Sequence, residues 1–353
     1  MQPFKPHLSS PALYPYLRSD ARIKLDQNES PEDLPAELKA RALERLASLP
    51  WNRYPELHAE DVRAALARHE GWDEAGVVLS PGSNVLILAL CTAARSVLDT
   101  VPAFPYYRGG AEAAGTPWRG IPLGPDFALP RAALLEALDG PPGVLFLPVP
   151  HAPTGRLFEP GEVEALAARA GERGWLLVVD EAYHDFSGTD FRPLARRGEH
   201  VALLRTFSKA WCLGGIRAGY LLASPRVASV ARACLPPFCL PAHTSAILLT
   251  ALESPGYASA LAARIRAERE RLRAALERHT GWRVYPSATN FLLVRTADAA
   301  AAQARLLAAG VLVRRQDRYP GMEGCLRITV GSPAEDDALV EAARGAGEAP
   351  GRP

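Results

Sequence analysis

Short apolar runs rich in β-branched residues alternate with amphipathic helical patterns through most of this 353-residue chain. The runs predicted to be strands are Val144–Val149, Trp175–Val179 and Val201–Leu204. The patterns predicted to be helices are Ala36–Ser48, Val62–His69 and Glu162–Glu172. Strands that alternate with helices build a mainly parallel sheet covered by helices. The sequence therefore predicts an α/β fold.

A polar cluster follows each of the three predicted strands. The clusters are His151–Gly155, Asp180–Tyr183 and Thr206–Lys209. In an open α/β sheet, ligands bind beyond the carboxyl ends of the strands. We therefore expect the three clusters to converge on one crevice.

The pattern changes after about Cys239. The elements predicted there are a long charged helix, a strand, a helix capped by Asp298 and a last strand, at Ala258–His279, Asn290–Arg295, Asp298–Ala309 and Cys325–Val330. They indicate a smaller α+β domain joined through the long helix. We expect an N-terminal arm at residues 1–30, a large domain at 31–245, a small domain at 246–346 and a flexible tail at 347–353. The proline-rich arm packs against the small domain or reaches a partner subunit.

Composition and charge exclude several classes of partner. With 48% hydrophobic residues and a net charge of +1, the chain has a large core and no general attraction for nucleic acid or anionic membranes. The apolar run Val85–Ala94 is too short to span a bilayer, and Met1–Ser10 lacks the apolar core of a secretory signal. The five cysteines are scattered, and no metal quartet surrounds Cys234 and Cys239. We expect a cytoplasmic protein without a metal that acts on small molecules.

The densest cluster, Thr206–Arg217, combines hydroxyl groups with two cations. A lysine near other cations and partly removed from water has a lowered pKa, which Schiff-base chemistry requires. Lys209 is therefore a candidate to hold an aldehyde, while Thr206, Ser208 and Arg217 hold a phosphate. The alternative is a surface loop with an ordinary lysine and arginine.

Asp180 ends a strand that is predicted to be buried, where an unpaired carboxylate is costly. A protonated pyridine nitrogen would be a suitable cationic partner, and Tyr183 would then donate to the phenolic oxygen of the same ring. The alternatives for Asp180 are a helix N-cap or a metal ligand.

Two further segments are consistent with the same ligand. Ser83 and Asn84 open an apolar helix that is predicted to run to about Leu98, and backbone N–H groups at a helix start bind anions. Plain N-capping is the alternative. Phe104 lies in an aromatic segment that either stacks on a planar ring or fills the core.

In order and spacing, these strings resemble the fold-type I aminotransferases that depend on pyridoxal 5′-phosphate (PLP). Within that group they are similar to the histidinol-phosphate aminotransferase family, across nearly the whole chain. The matching strings begin at Leu25-Asp-Gln-Asn28-Glu29-Ser-Pro31 and continue through Arg53-Tyr54-Pro55, Gly82-Ser83-Asn84, Pro102-Ala-Phe104, Pro153-Thr-Gly155, Asp180-Glu-Ala-Tyr183, Ser208-Lys209 and Leu326-Arg327-Ile-Thr-Val-Gly331.

The resemblance implies a cofactor and a site. Lys209 would form the internal aldimine with PLP and move the proton, Asp180 would pair with the pyridinium, Tyr183 would bond the phenolic oxygen, and Phe104 would stack on the ring. The implied phosphate cup is Ser83, Asn84, Thr206, Ser208 and Arg217, with Tyr54 from the other subunit of a homodimer. The implied substrate residues are Arg327 for a carboxylate, Arg314 and Tyr16 for the substrate's own phosphate, and Asn28.

The chain departs from the family pattern at one important position. Where the family usually has Asn-Asn-Pro-Thr-Gly, this chain has His151-Ala152-Pro153-Thr154-Gly155, so a donor to the phenolic oxygen is replaced by Ala152. The loss predicts a raised pKa for the Schiff base. His151 either compensates, or it packs beside the loop or is exposed.

The implied reaction is amino transfer from histidinol phosphate to 2-oxoglutarate, giving imidazole acetol phosphate and glutamate, in histidine biosynthesis. An aromatic amino-acid aminotransferase and an enzyme like threonine-phosphate decarboxylase are alternatives within the same architecture. A non-catalytic binding protein is a further alternative, which the presence of Lys209, Asp180 and Arg327 disfavours.

Overall fold

The fold was analysed in a computed structural model that describes residues 17–344. This part of the chain forms twelve strands: β1 (Ile23–Leu25), β2 (Val77–Ser80), β3 (Val97–Val101), β4 (Trp118–Pro122), β5 (Val144–Pro148), β6 (Leu176–Asp180), β7 (Val201–Thr206), β8 (Gly219–Leu222), β9 (Arg283–Val284), β10 (Phe291–Arg295), β11 (Val311–Arg315) and β12 (Cys325–Thr329).

Twelve α-helices connect and cover these strands. They are α1 (Ala36–Ala47), α2 (Glu60–Glu70), α3 (Ser83–Ala93), α4 (Tyr106–Ala114), α5 (Arg131–Ala137), α6 (Pro160–Arg173), α7 (Arg192–Ala195), α8 (Pro225–Ala233), α9 (Ala242–Leu252), α10 (Gly256–Thr280), α11 (Ala299–Ala308) and α12 (Pro333–Ala343) within residues 17–344. None of the helices described is long and apolar enough to cross a membrane.

The larger sheet has seven strands in the order β2-β8-β7-β6-β5-β3-β4. All neighbouring pairs are parallel except those of β8, which is antiparallel to both β2 and β7. The central strands β5 and β7 are buried along their whole length, as a sheet covered by helices on both faces requires. The predicted α/β class with a mainly parallel central sheet is confirmed.

The smaller sheet has five strands in the order β1-β11-β12-β10-β9. Only β1 and β11 pair in parallel, and the other pairs are antiparallel. Strand β1 precedes every strand of the large sheet in the sequence, but it pairs in the small sheet. Side chains alternate along a strand, so Lys24 is exposed while Ile23 and Leu25 are buried.

Local capping fixes the ends of several helices. Helix α6 begins with a capping box between Glu159 and Glu162, and α12 begins with one between Ser332 and Glu335. The predicted cap of α11 is present, since the Asp298 side chain accepts from the N–H groups of two residues in the first turn.

The predicted extent of the helix after Ser83 is wrong. Helix α3 ends at Ala93, where the next residue is extended with ψ 148°, and Val97–Val101 forms β3 instead of continuing the helix to Leu98. This strand begins and ends with valine and pairs with β4 and β5, so pairing within the sheet determines its structure.

The long helix α10 joins two hydrophobic cores. Its Ala258 packs in the core of the large sheet, whereas Leu261 and Ile265 pack in the core of the small sheet. The predicted boundary at residue 245 falls inside α9, whose Leu248 and Ala251 belong to the large core. We therefore propose that the division between the domains lies after α9.

Candidate active site

A cavity of about 210 Å³ lies where the carboxyl ends of β5, β6 and β7 meet residues of the small sheet. The three polar clusters predicted to converge contribute to its wall. The predicted site residues that line it are Asn28, Ser83, Asn84, Phe104, Asp180, Tyr183, Thr206, Ser208, Lys209, Arg217, Arg314 and Arg327. The structure therefore brings together twelve of the fourteen side chains proposed from the sequence.

Lys209 is half-buried in the loop that follows β7. Its Nζ atom donates to the carbonyl oxygens of Gln27 at 3.1 Å and Asn28 at 2.9 Å. Burial, helped by the positive charges of Arg327 and Arg217, lowers the pKa of Lys209 to about 7. A substantial fraction of the amine is therefore neutral and nucleophilic near neutral pH.

Asp180 is buried at the end of β6, and its hydrogen-bond donors are neutral. The Tyr107 hydroxyl donates to Oδ2 at 2.6 Å, and the Ala182 N–H donates to Oδ1 at 3.0 Å. Burial raises the pKa of Asp180 to about 6, against the opposite effect of these two hydrogen bonds. The carboxylate is thus positioned to stabilise a cation in the cavity.

Tyr107 is a site residue that the sequence interpretation missed. Its ring is fully buried and stacks on Phe146 with centroids 4.9 Å apart, which fixes the hydroxyl against Asp180. A buried tyrosine hydroxyl needs a polar partner, but the sequence does not identify a partner 73 residues away. Gln27, Gln316 and Tyr319 also line the cavity and were not predicted.

Glu181, which follows Asp180, belongs to a buried ionic network. Its carboxylate accepts from Arg205 Nε at 2.7 Å, and Arg205 Nη1 also donates to Glu70 at 2.6 Å. Tyr220 donates to the other oxygen of Glu70. Because Glu181 follows β6 and Arg205 lies in β7, these bonds hold together the strand ends that carry Asp180 and Thr206.

The first turn of α3 forms an anion-binding surface with the loop after β7. Gly82 precedes the helix at φ 82°, and a Cβ atom there would lie 2.6 Å from Arg217 Nη2. Only glycine therefore allows this approach of the guanidinium. Thr206 Oγ1 donates to Ser208 Oγ at 3.0 Å, so both hydroxyl groups are ordered beside the helix start. Helix N–H groups, hydroxyls and a cation together suit a phosphate.

Two arginines stand opposite each other on adjacent strands of the small sheet. Arg314 of β11 pairs in register with Arg327 of β12, and both line the cavity. Arg327 Nη2 donates to the Asp26 carbonyl oxygen at 2.6 Å, and its guanidinium carbon lies 5.5 Å from the Phe291 ring centre. Two guanidinium groups at one wall favour a substrate with separate anionic groups.

Of the two remaining predicted site residues, the one that the structure describes, Tyr54, is not in the cavity wall. Tyr54 is 83% exposed, and its ring stacks on Phe238 with centroids 5.0 Å apart. Tyr16 lies outside the described residues.

His151 does not line the cavity, whereas Ala152 does. The histidine is fully buried between Thr100 and Thr154, whose hydroxyl oxygens lie 3.1 Å from Nε2 and 2.8 Å from Nδ1. Burial lowers the pKa of His151 to about 3, so the ring is neutral. The hypothesis that His151 replaces the missing donor is wrong, and the packed alternative is correct.

A mainly parallel sheet of seven strands, with a lysine of lowered pKa and a buried carboxylate in a cavity at its carboxyl edge, is typical of the fold-type I class of enzymes. The family of class I and II aminotransferases matches residues 21–342, so the chain belongs to that family and is an aminotransferase. Within residues 17–344, no cluster of three or more His, Cys, Asp or Glu side chains has a metal-binding arrangement.

The chain is 49% identical over 333 residues to a histidinol-phosphate aminotransferase of Deinococcus radiodurans, which covers 93% of this chain and 92% of that protein. It is 37% identical to the enzyme of the same name from Methylibium petroleiphilum, covering 93% and 90% of the two chains. The family resemblance found in the sequence is confirmed.

Solved structures confirm the fold. A histidinol-phosphate aminotransferase from Sinorhizobium meliloti, solved in complex with pyridoxal-5′-phosphate, superposes with a TM-score of 0.86 at 24% identity, covering 98% of both chains. An L-threonine-O-3-phosphate decarboxylase from Porphyromonas gingivalis superposes with a TM-score of 0.77 at 21% identity, covering 91% of this chain and 98% of that one. The fold alone therefore does not distinguish these reactions.

Proposed function

We propose that the cavity binds PLP and that the protein transfers the amino group of histidinol phosphate to 2-oxoglutarate, giving imidazole acetol phosphate and glutamate. The observation that carries this proposal is the position of Lys209 with Asp180 and the anion-binding turn in one cavity. The high identity to a relative named for this reaction supports the choice of substrate.

The residues present fit PLP. A protonated ring nitrogen supplies the cation that the buried carboxylate of Asp180 stabilises, and the α3 start with Arg217 suits the cofactor's phosphate. When bound, PLP supplies an electron-withdrawing ring that stabilises negative charge on the substrate carbon bearing nitrogen. Lys209 would hold the cofactor's aldehyde group and would move the proton at that carbon, and Phe104 would pack on the ring.

The two neighbouring arginines suit substrates that carry either a carboxylate or a phosphate. Arg327 binds the carboxylate of glutamate or 2-oxoglutarate through a bidentate contact. Arg314, on the neighbouring strand, binds the phosphate of histidinol phosphate, with Tyr16 as a further contact.

We also propose a cytoplasmic homodimer. The exposed ring of Tyr54, remote from its own cavity wall, supports a role for Tyr54 at the cavity of a second copy. The five cysteines are free thiols, as is typical of a reducing compartment.

The proposed reaction is tested by following the absorbance of the PLP-loaded protein with single amines. We expect histidinol phosphate and glutamate each to convert the cofactor to its amine form, because both combine an amine with an anion that Arg314 or Arg327 binds. Phosphate-free histidinol, which lacks an anion for either arginine, is the control, and we expect its conversion to be at least ~10-fold slower. Faster conversion by aromatic amino acids, or release of CO₂ from threonine phosphate without a keto acid, would contradict the assignment.

A further inference from the structure

Asn28 contacts both Tyr183 and Lys209 in the cavity. Its side-chain Nδ2 donates to the Tyr183 hydroxyl at 2.8 Å, and its main-chain oxygen accepts from Lys209 Nζ at 2.9 Å. The residue is almost fully buried and follows β1, so it belongs to the segment that joins the small sheet. One residue of this segment thus contacts two side chains carried by the large sheet.

The orientation of the Asn28 side chain is fixed by Thr329 at the end of β12. The Asn28 N–H donates to Thr329 Oγ1 at 2.9 Å, and Thr329 Oγ1 donates in turn to Asn28 Oδ1 at 3.2 Å. Since the amide oxygen is occupied by this hydroxyl, the amide nitrogen faces Tyr183. The Tyr183 oxygen therefore accepts a hydrogen bond from Asn28.

We propose that Asn28 is a positioning residue that directs the hydroxyl hydrogen of Tyr183 into the cavity, toward the phenolic oxygen of the cofactor. A hydroxyl that accepts one hydrogen bond becomes a stronger donor in the next. This inference rests on the proposed binding of PLP.

The identity of residue 152 gives this contact its importance. Ala152 and Tyr183 line the same cavity and belong to one apolar cluster, but the methyl group of Ala152 is not a hydrogen-bond donor. Polarisation of Tyr183 by Asn28 then supplies part of the stabilisation of the phenolic oxygen that an asparagine at position 152 would supply directly.

The backbone of Asn28 determines how the test is designed. Its φ of 54° lies in the left-handed region, which asparagine tolerates and alanine disfavours. Asn28→Gly removes the amide group and preserves this conformation, so it separates the side-chain contact from backbone strain. Ser30→Ala is a matched control two residues further on, where the hydroxyl bonds the Glu32 carbonyl.

The measurement is the pH midpoint of the visible absorbance change of bound PLP. We expect Asn28→Gly to raise this midpoint by about 0.5 pH unit, because weaker donation by Tyr183 destabilises the form with more negative charge on the phenolic oxygen. Ser30→Ala should leave the midpoint unchanged. In a Tyr183→Phe background, Asn28→Gly should produce no further shift, since it acts through the missing hydroxyl.

An Ala152→Asn background tests the compensation. There we expect the shift caused by Asn28→Gly to fall to less than half of its size in the natural chain, because the phenolic oxygen has a direct donor. An unchanged midpoint in Asn28→Gly, or an equal shift with and without the Tyr183 hydroxyl, would overturn the proposal. An equal shift in the Ala152→Asn background would overturn the compensation. If the natural chain develops no PLP absorbance band, the proposed function itself fails, which is a distinct result.

Discussion

The buried hydroxyl of Tyr107 favours the ionised form of Asp180. Tyr107 donates to one carboxylate oxygen at 2.6 Å, and this bond opposes the burial that raises the pKa of Asp180 to about 6. The ring of Tyr107 packs between aromatic neighbours, including Phe104, which lines the cavity. The tyrosine therefore contacts both Phe104, which we propose packs on the cofactor ring, and Asp180, which we propose pairs with its nitrogen.

Replacement of Tyr107 by Phe should raise the pKa of Asp180 further, by about 1 unit, because a hydrogen bond to the charged form is lost. The ionised carboxylate is the form that binds the cofactor. We expect PLP affinity to decline as pH falls, with the midpoint about 1 unit higher in the variant than in the natural chain. The dissociation constant of PLP, measured on cofactor-free protein between about pH 5 and 8, checks this prediction.

The same change at the neighbouring position, Tyr106→Phe, is the control, since that ring packs only at the edge of the segment, 6.5 Å from Phe104. Identical midpoints for Tyr107→Phe and the natural chain would contradict a role for the hydroxyl.

The sequence predicted those site residues whose role follows from a position after a buried strand. Asp180 directly follows one predicted buried strand, and Lys209 lies in the polar cluster after another, so their convergence follows from the rule for open sheets. Tyr107 and Asn28 were harder to interpret, because their roles depend on partners 73 and 155 residues away. Such contacts require the packed structure.

Among the elements, α12 carries an unusual buried carboxylate in its first turn. Asp336 is fully buried, accepts from the Gly331 N–H at 3.0 Å and lies beside Glu268. Burial, together with Glu268, raises the pKa of Asp336 to about 8. Because Gly331 follows β12, the helix start is tied to the strand that carries Arg327.

Asp336→Asn should stabilise the protein at alkaline pH. The unfolded carboxyl titrates near 3.8 and the folded one near 8, so between these values the folded state binds more protons and stability falls as pH rises. The amide has no charge to bury. We expect the variant to melt a few degrees higher than the natural chain at about pH 8.5 and to match it at about pH 4.

The control is Asp337→Asn at the adjacent position, which removes an exposed ion pair with Arg271 and should alter the melting temperature little. Equal melting temperatures of Asp336→Asn and the natural chain at about pH 8.5 would refute the buried-carboxyl interpretation.

Element boundaries were predictable where caps or glycine signals were present, as at Asp298 before α11. They were not predictable after Ser83, where an apolar sequence continues from helix α3 into strand β3. Both elements are buried, so periodicity does not separate them, and pairing with β4 and β5 decides the outcome.

For the whole molecule, the exposed aromatic surface around Tyr54 is the feature that a single chain does not explain. Trp51 is 87% exposed, and the Tyr54 ring stacks on Phe238, which is itself 40% exposed. Large exposed apolar side chains in a cluster indicate an interface. The proposed second copy of the chain, with Tyr54 at its cavity, would account for them.

We expect the protein to sediment as a dimer at micromolar concentration. Tyr54→Phe should keep the dimer, because the ring remains, but weaken PLP binding about tenfold through loss of one hydroxyl contact to the phosphate. Sedimentation velocity and the PLP dissociation constant are the two measurements. A monomer, or a dimer whose Tyr54→Phe variant binds PLP as tightly as the natural chain, would exclude this role.

The two-sheet architecture was predictable from the alternation of strands and helices and from the long helix α10, which connects both cores. Packing of the N-terminal arm against the small domain was one of two expected alternatives, but strand β1 itself was not predicted, because three residues that pair with a strand nearly 300 positions later carry no local signal.

The proposed chemistry depends most directly on Lys209, and the small number of lysines in the chain makes its test simple. The chain has four lysines, which are Lys5, Lys24, Lys39 and Lys209. PLP added to the protein, fixed by borohydride reduction and located by peptide mass spectrometry, should be attached to Lys209. The rate of attachment should increase as pH rises through about 7, the pKa of this amine. Lys209→Ala should bind PLP without attachment and lose turnover. Attachment at another lysine, or near-normal turnover in Lys209→Ala, would contradict the account.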